Sequence, residues 1–186
     1  MTDYTAMKKN PLNFFCILLF FIVSVHAQRE TANWFFGVNA GLNFNSGIPE
    51  ILDMGQVDTL EGCSSISDAN GSLLFYTDGV TVWNRLHEPM PNGTDLAGSL
   101  SSTQSCIIVP NPGNANLFYI FTADVVDAYN GNNAGPSNGF NYSVVDMSLG
   151  GGMGFVTTKN VNLLGSTSEK VSATISSDGN YWVVTH

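Results

Sequence analysis

Polar side chains recur at matching positions in three stretches of this chain, and their types could do chemistry. Glu61, Gln104 and the pair Glu169-Lys170 precede short strands of small residues, whereas Asp78, Asp124 and His186 follow strands rich in aromatic residues. Positions of these two kinds fall at the same end of an antiparallel pair of strands. The candidate ligand-binding residues are therefore Glu61, Asp78, Trp83, Asp124, Lys170 and His186. The alternative is that these residues are ordinary solvated strand ends.

Catalysis by the same residues has weaker support. Glu61, Asp78 and Asp124 are candidates for the paired carboxylates of glycoside hydrolysis, but their spacing selects no pair. Serine-based hydrolysis needs a nucleophile, a base and an orienting group. The chain has no G-x-S-x-G motif, and after residue 27 its histidines are His87 and His186. We therefore expect no catalytic residues.

A cation site is the next chemistry that the sequence suggests. Asp68-Ala69-Asn70-Gly71 begins like an oxygen-rich calcium loop, but Ser72-Leu73-Leu74 follows where further ligands would stand. Clusters of Asp, Asn and Gly are also typical of turns. We expect a turn and no cofactor, with Ca²⁺ as the one ion for which a partial pattern exists.

Two cysteines, Cys63 and Cys106, lie after residue 27. Each stands among small polar residues near the start of an apolar run. Two interpretations stay open, a disulfide in an oxidising compartment or two small buried thiols. Neither cysteine has the neighbouring cysteines and histidines that a structural zinc site requires, so no zinc is predicted.

Short strands and turns must position all of these residues, because β-branched and aromatic runs alternate with Gly, Asn, Asp and Ser. The runs 72–77 and 80–84 flank Asp78-Gly79, a dipeptide preferred in two-residue type I′ hairpin turns. The run 63–67 precedes this hairpin through the turn 68–71. The pattern predicts a three-stranded meander.

The same plan recurs along the chain at 61–79, 104–124 and 170–186, with Thr77, Thr122 and Thr185 near the end of each aromatic strand. The intervals are 45 and 63 residues, and a period of roughly 40 to 50 residues indicates propeller blades. Segments 141–147 and 155–164, joined by Gly150-Gly151-Gly152, complete a four-stranded blade. We expect an all-β fold, a partial propeller with about two to three blades of a ring of roughly seven. A β-sandwich is the alternative.

The amino terminus resembles an export signal. Lys8 and Lys9 precede an apolar run from Phe14 to Val25, and Val25-His26-Ala27 is a small-x-small cleavage pattern. The run is shorter than the ~20 residues that cross a bilayer. We expect a signal peptide at 1–27, a mature part at 28–186 and no integral membrane segment after cleavage. The mature part has four basic and 14 acidic residues, which excludes nucleic acid and anionic lipid as favourable partners.

Several longer strings identify a resemblance: ANWFFGVNAGLNF, EGCSSISDANGSLLFYTDGVTVWN, SSTQSCIIVPNPG and YSVVDMSLGGGMGFVTTKNVNLL. Over about residues 32–186 they resemble the amino-terminal region of large secreted Bacteroidetes surface proteins that carry a gliding-motility or type IX secretion sorting domain. The resemblance implies a propeller-like front module followed by PKD repeats and the sorting signal. It implies no catalytic residues. We expect the chain to be the first part of a longer protein with such downstream domains.

The function expected from these observations is a secreted or cell-surface binding or adhesion module. Its ligand would be an extracellular glycan or protein. One alternative is a propeller enzyme acting on extracellular polysaccharide, with Trp83 and Trp182 as sugar platforms. The other alternative is a structural spacer.

Overall fold

The computed structural model describes residues 29–125 and 137–186. Regular structure in these ranges is β-strand, apart from short 3-10 turns at Arg29–Thr31 and Gly150–Gly152. The all-β prediction is confirmed. The predicted signal peptide lies outside the described residues. Within the described ranges, no helix has the length and apolar character needed to cross a membrane.

The described strands form four antiparallel sheets, named here sheets I to IV in chain order. Sheet I contains β1 (Asn33–Phe36), β2 (Ala40–Asn43) and β3 (Glu50–Leu52), and sheet II contains β4 (Ser64–Ser67), β5 (Leu73–Thr77) and β6 (Val82–Asn84). Sheet III contains β7 (Cys106–Pro110), β8 (Leu117–Ala123), β9 (Phe140–Asp146) and β10 (Phe155–Leu164). Sheet IV contains β11 (Val171–Ile175) and β12 (Tyr181–Thr185). In each sheet, strands that follow one another in the chain are neighbours.

Sheets II and III agree with the strand pattern of the sequence. Sheet II is the predicted meander, and sheet III is the predicted four-stranded unit, with the turn Gly150–Gly152 between β9 and β10. The repeated threonines also share one register. Thr77, Thr122 and Thr185 pair with the first residues of β4, β7 and β11.

The predicted two-residue turn at Asp78-Gly79 is wrong. β5 ends at Thr77 and β6 begins at Val82, so the loop has four residues, and only Gly79 in it has a positive φ, of 89°. A type I′ turn needs positive φ at both central positions. Instead, the side chains of Asp78 and Thr77 hydrogen bond to the loop backbone, and these bonds hold a wider turn.

Sheet I forms by pairing of strands that are close together in the chain. β1 and β2 pair with each other, and β3 pairs with β2. The turn at 37–39 accounts for this local pairing, since Gly37 and Asn39 both have positive φ and the chain reverses within three residues.

The first strands of successive sheets lie side by side in chain order. β1 contacts β4, β4 contacts β7, and β7 contacts β11. Three apolar clusters fill the spaces between neighbouring sheets. They centre on Phe35 and Tyr76 between sheets I and II, on Phe75 and Ile120 between II and III, and on Phe140 and Val171 between III and IV. The four sheets do not close into a ring in the part of the chain that the structure describes.

Candidate functional site

The predicted ligand-binding residues lie at one end of the sheets, named here the polar end, where β4, β7 and β11 begin. Strand register brings the start of each of these strands beside the end of the strand that follows it in the chain. The paired residues are Ser64 and Thr77 in sheet II, Cys106 and Thr122 in sheet III, and Val171 and Thr185 in sheet IV. Within each sheet, this register puts the positions before the first strand and after the second at one sheet end. Trp83 is the exception, because it lies in β6.

Hydrogen bonds join the polar ends of neighbouring sheets. The Ser105 Oγ donates to the carbonyl oxygen of Asp78 at 2.7 Å and links sheet III to sheet II. The backbone N of Gln104 donates to the carbonyl oxygen of Glu169 at 3.0 Å, and the Gln104 Oε1 accepts from the backbone N of Val171. These bonds use backbone and side-chain groups that a ligand would otherwise contact.

Asp78 is buried and serves the loop that it begins. Its Oδ1 accepts hydrogen bonds of 2.8 Å from the backbone N–H groups of Val80 and Thr81. Burial raises the pKa of Asp78, and the bonds from the two N–H groups partly oppose that rise. The geometry makes Asp78 a turn-stabilising residue rather than a group directed at a ligand.

Asp124 has the same role in sheet III. Its Oδ1 accepts from the backbone N of Val125, and its Oδ2 accepts from both the backbone N and the Nδ2 of Asn138 at 2.8 and 2.9 Å. The carboxylate thereby holds the start of the β8–β9 connection to its end. Both of its oxygens are engaged in local structure.

The remaining candidates differ in exposure. Glu61, Lys170 and His186 are exposed at the polar end. Trp83 is only 9% exposed and stacks on Tyr76 with ring centroids 5.5 Å apart. Because its ring is inside the cluster between sheets I and II, Trp83 does not offer a face to a sugar. Trp182, in contrast, is 66% exposed on β12.

Cys63 and Cys106 are free thiols that lie in different apolar clusters. Cys63 packs against the cluster of Phe35 and Tyr76, whereas Cys106 belongs to the cluster of Phe75 and Ile120. Burial raises the pKa of each thiol, most strongly that of Cys106. Of the two arrangements that the sequence left open, the structure has unpaired thiols, with Cys106 buried and Cys63 half-buried.

One contact between two polar side chains, Tyr76 and His87, was not predicted from the sequence. The Tyr76 hydroxyl lies 3.0 Å from the His87 Nδ1, and it also accepts a hydrogen bond from the backbone N of Gln56. Burial raises the pKa of Tyr76 to about 12 and lowers the pKa of His87. The two residues are 11 positions apart and meet only because β6 and its following turn fold back over β5, so no local pattern signals the contact.

An open groove of about 540 Å³ lies at the other end of the sheets, where β4 and β7 end. Its walls are apolar, and its polar groups come from distant parts of the chain. Its lining includes Glu30, Ile66, Asp68, Leu74, Phe118 and Tyr181. Asp68 lies in the suggested calcium loop, and the other five were not predicted to belong to a site. The predicted polar end and the groove are therefore separate features of the molecule.

The described residues contain no group of three or more His, Cys, Asp or Glu side chains arranged to hold a metal ion. In the suggested calcium loop, the Asp68 Oδ1 accepts hydrogen bonds from the backbone N of Asn70 and Ser72 at 2.8 and 2.9 Å. These bonds are those of a turn, in agreement with the turn interpretation of 68–71.

Fold and site together define an all-β protein in which four described antiparallel sheets pack on one another. The polar groups at one end of the sheets hydrogen bond to each other within the chain. The groove with apolar walls lies at the opposite end. Comparisons with protein-family models, with curated proteins and with solved structures find no match to this chain. Functional inference consequently rests on the geometry and chemistry of its own residues.

Proposed function

We propose that this chain is a non-catalytic binding or adhesion module, the leading part of a β-propeller in a secreted or cell-surface protein. The observation that carries the proposal is the order of the first strands, since β1, β4, β7 and β11 are neighbours in chain order and each begins its own sheet. Radial repetition of small antiparallel sheets is the plan of propellers.

Uncovered apolar faces on the two outermost sheets support the same architecture. Trp34 on the outer face of sheet I is 50% exposed, and Ile51 on the same face is 85% exposed. Trp182 and Val184 on the outer face of sheet IV are 66% and 59% exposed. The equivalent faces between sheets are buried, so further sheets packed on both sides would complete the pattern.

The state of the carboxylates favours binding over hydrolysis. Asp78 and Asp124, two of the three candidate carboxylates, each accept several local hydrogen bonds. A carboxylate used as an acid or nucleophile must instead face the scissile bond. The acidic composition, the N-terminal apolar run and the resemblance to Bacteroidetes surface proteins support an extracellular setting.

A binding assay on residues 28–186 tests this proposal. The chain, coupled to beads so that weak contacts add up, is incubated with immobilised extracellular polysaccharides and proteins. Saturable retention without shortening of the ligand is the expected result. Release of shortened oligosaccharides would favour the polysaccharide-hydrolase alternative, and retention of nothing would overturn the binding function in favour of a spacer.

A further inference from the structure

The groove at the ends of β4 and β7 is assembled from the neighbourhoods of all four sheets. Glu30 comes from the turn before sheet I, Asp68 from the loop after β4, Pro110 from the end of β7 and Tyr181 from the start of β12. A volume of about 540 Å³ is within the range of sites for small ligands or single side chains. The groove is thus a product of sheet packing and not of one loop.

Its walls are apolar. Ile66 and Leu74 of sheet II and Phe118 of sheet III line it as members of one apolar cluster, with Pro110 and Pro112 beside them. Such walls suit hydrocarbon, which gains free energy as its surface leaves water. An occupant of this groove therefore has an apolar stem.

The charged groups that line the groove are both acidic, Glu30 and Asp68. The Glu30 Oε2 is shielded from solvent and has no hydrogen-bond partner among the described residues. A buried acceptor without a donor costs free energy that a bound donor restores. Asp68 adds a second carboxylate, which its bonds from Asn70 and Ser72 hold in place.

The missing donor is better supplied by an organic cation than by a metal ion or a neutral group. The described residues contain no cluster of three ligands for a metal. Residues 28–186 carry an excess of acids, and their basic residues Arg29, Arg85, Lys159 and Lys170 do not line the groove. No basic side chain of the described residues therefore offsets the carboxylates inside the groove. The surrounding negative charge also attracts a bound cation.

We propose that the groove binds the basic side chain of a protein partner, with the ammonium or guanidinium group at Glu30 and Asp68 and the alkyl stem between Leu74 and Phe118. Lys and Arg combine an apolar stem with a charged end, which matches the groove in both respects. The inference rests on the proposed binding function and names the class of ligand, a basic segment of an extracellular protein.

The test uses two tripeptides and residues 28–186. Acetyl-Gly-Lys-Gly-amide carries the cation, whereas acetyl-Gly-norleucine-Gly-amide has a similar stem without the charge. Titrations followed by NMR should show saturable shifts at Ile66, Leu74 and Phe118 with the lysine peptide. Glu30→Gln should weaken that binding about tenfold, the size of one lost charge-assisted hydrogen bond. The matched control Glu50→Gln changes an exposed carboxylate on β3 and should leave the affinity unchanged.

Three results would overturn the inference: equal affinity for the norleucine peptide, unchanged affinity in Glu30→Gln, or displacement of the lysine peptide by millimolar Ca²⁺. Its failure is distinguishable from failure of the proposed function. Retention on immobilised glycans or proteins without lysine binding removes only the groove assignment. Lysine binding in the groove without retention on any immobilised ligand removes the adhesion function and leaves the groove as a small-ligand site.

Discussion

Asp78 shows how one buried carboxylate is held by opposing effects. Burial disfavours its charge and raises its pKa, while two backbone N–H groups stabilise the charged form. Its own carbonyl oxygen accepts from the Ser105 Oγ, which ties the loop to sheet III. At the scale of the residue, Asp78 is an anchor of the β5–β6 loop.

Substitution of Asp78 separates hydrogen bonding from charge. Asp78→Ala leaves the N–H groups of Val80 and Thr81 without their acceptor and should lower the free energy of unfolding by about 2 kcal/mol. Asp78→Asn keeps an acceptor and removes the buried charge, so it should stay within about 1 kcal/mol of the wild type. Urea unfolding at pH 7 measures both. Asp178→Ala, in the exposed β11–β12 turn, is the control with a smaller effect, and equal losses in all three variants would contradict the argument.

His87 should make stability sensitive to acid. Burial lowers its pKa below the ordinary 6.5, so the unfolded chain takes up a proton at a higher pH than the folded chain does. The free energy of unfolding therefore falls as the pH decreases below about 6.5. His87→Asn, which tolerates the positive φ of 64° at this position, should flatten that dependence between pH 7.5 and 5.

The His87→Asn variant should also lose about 1 kcal/mol at pH 7.5, because the Tyr76 hydroxyl loses its partner. Urea unfolding at several pH values provides the measurement. His186→Asn changes an exposed histidine and is the control. A pH dependence that survives in His87→Asn would assign the acid sensitivity to other groups.

At the scale of the element, the side-by-side packing of first strands depends on a glycine. A Cβ placed on Gly62, just before β4, would stand 2.1 Å from the backbone N of Ser105, just before β7. The Gly62 N also donates to the Ser102 carbonyl oxygen at 3.2 Å. No flexible side chain can yield at this contact, because the obstructing atom belongs to the backbone.

Gly62→Ala should consequently force β4 and β7 apart and lower the free energy of unfolding by about 1 to 3 kcal/mol, the usual cost of overpacking. Gly165→Ala is the matched control, since no atom lies within 4 Å of its added methyl group. Thermal unfolding of the two variants gives the comparison. A Gly62→Ala variant as stable as Gly165→Ala would mean that the first strands are farther apart than described.

At the scale of the whole molecule, the outer faces of sheets I and IV carry large apolar side chains that no described sheet covers. Trp182 and Val184 point from the same face of β12, and Trp34 lies on the opposite side of the stack of sheets. The edge strands beside them carry unpaired backbone groups. Such faces and edges favour association with another sheet.

Residues 28–186 by themselves should therefore self-associate at micromolar concentration. The double substitution Trp182→Thr and Val184→Thr should shift the chain toward the monomer, because it removes the apolar face while keeping residues suited to a strand. Sedimentation velocity measures the shift. Leu86→Thr, at an exposed loop position, is the control. A wild-type chain that stays monomeric would indicate that no further sheet is needed to cover these faces.

Local patterns determined much of this protein. Alternating apolar residues and turn residues were sufficient to predict the four strands of sheet III, the meander of sheet II and the place of the repeated threonines near the ends of their strands. They also indicated that Asp68 and Asp78 serve turns. These features follow from strand period and backbone hydrogen bonding, which act over a few residues.

Tertiary structure decided the features that depend on which sheet packs on which. Trp83 is buried and Trp182 exposed although both lie in similar strands, because only the first has a neighbouring sheet over it. The groove joins Glu30, Asp68 and Tyr181, which are distant in the chain and share no motif. Burial and cavity shape arise from contacts between sheets, so no local pattern in the sequence contains them.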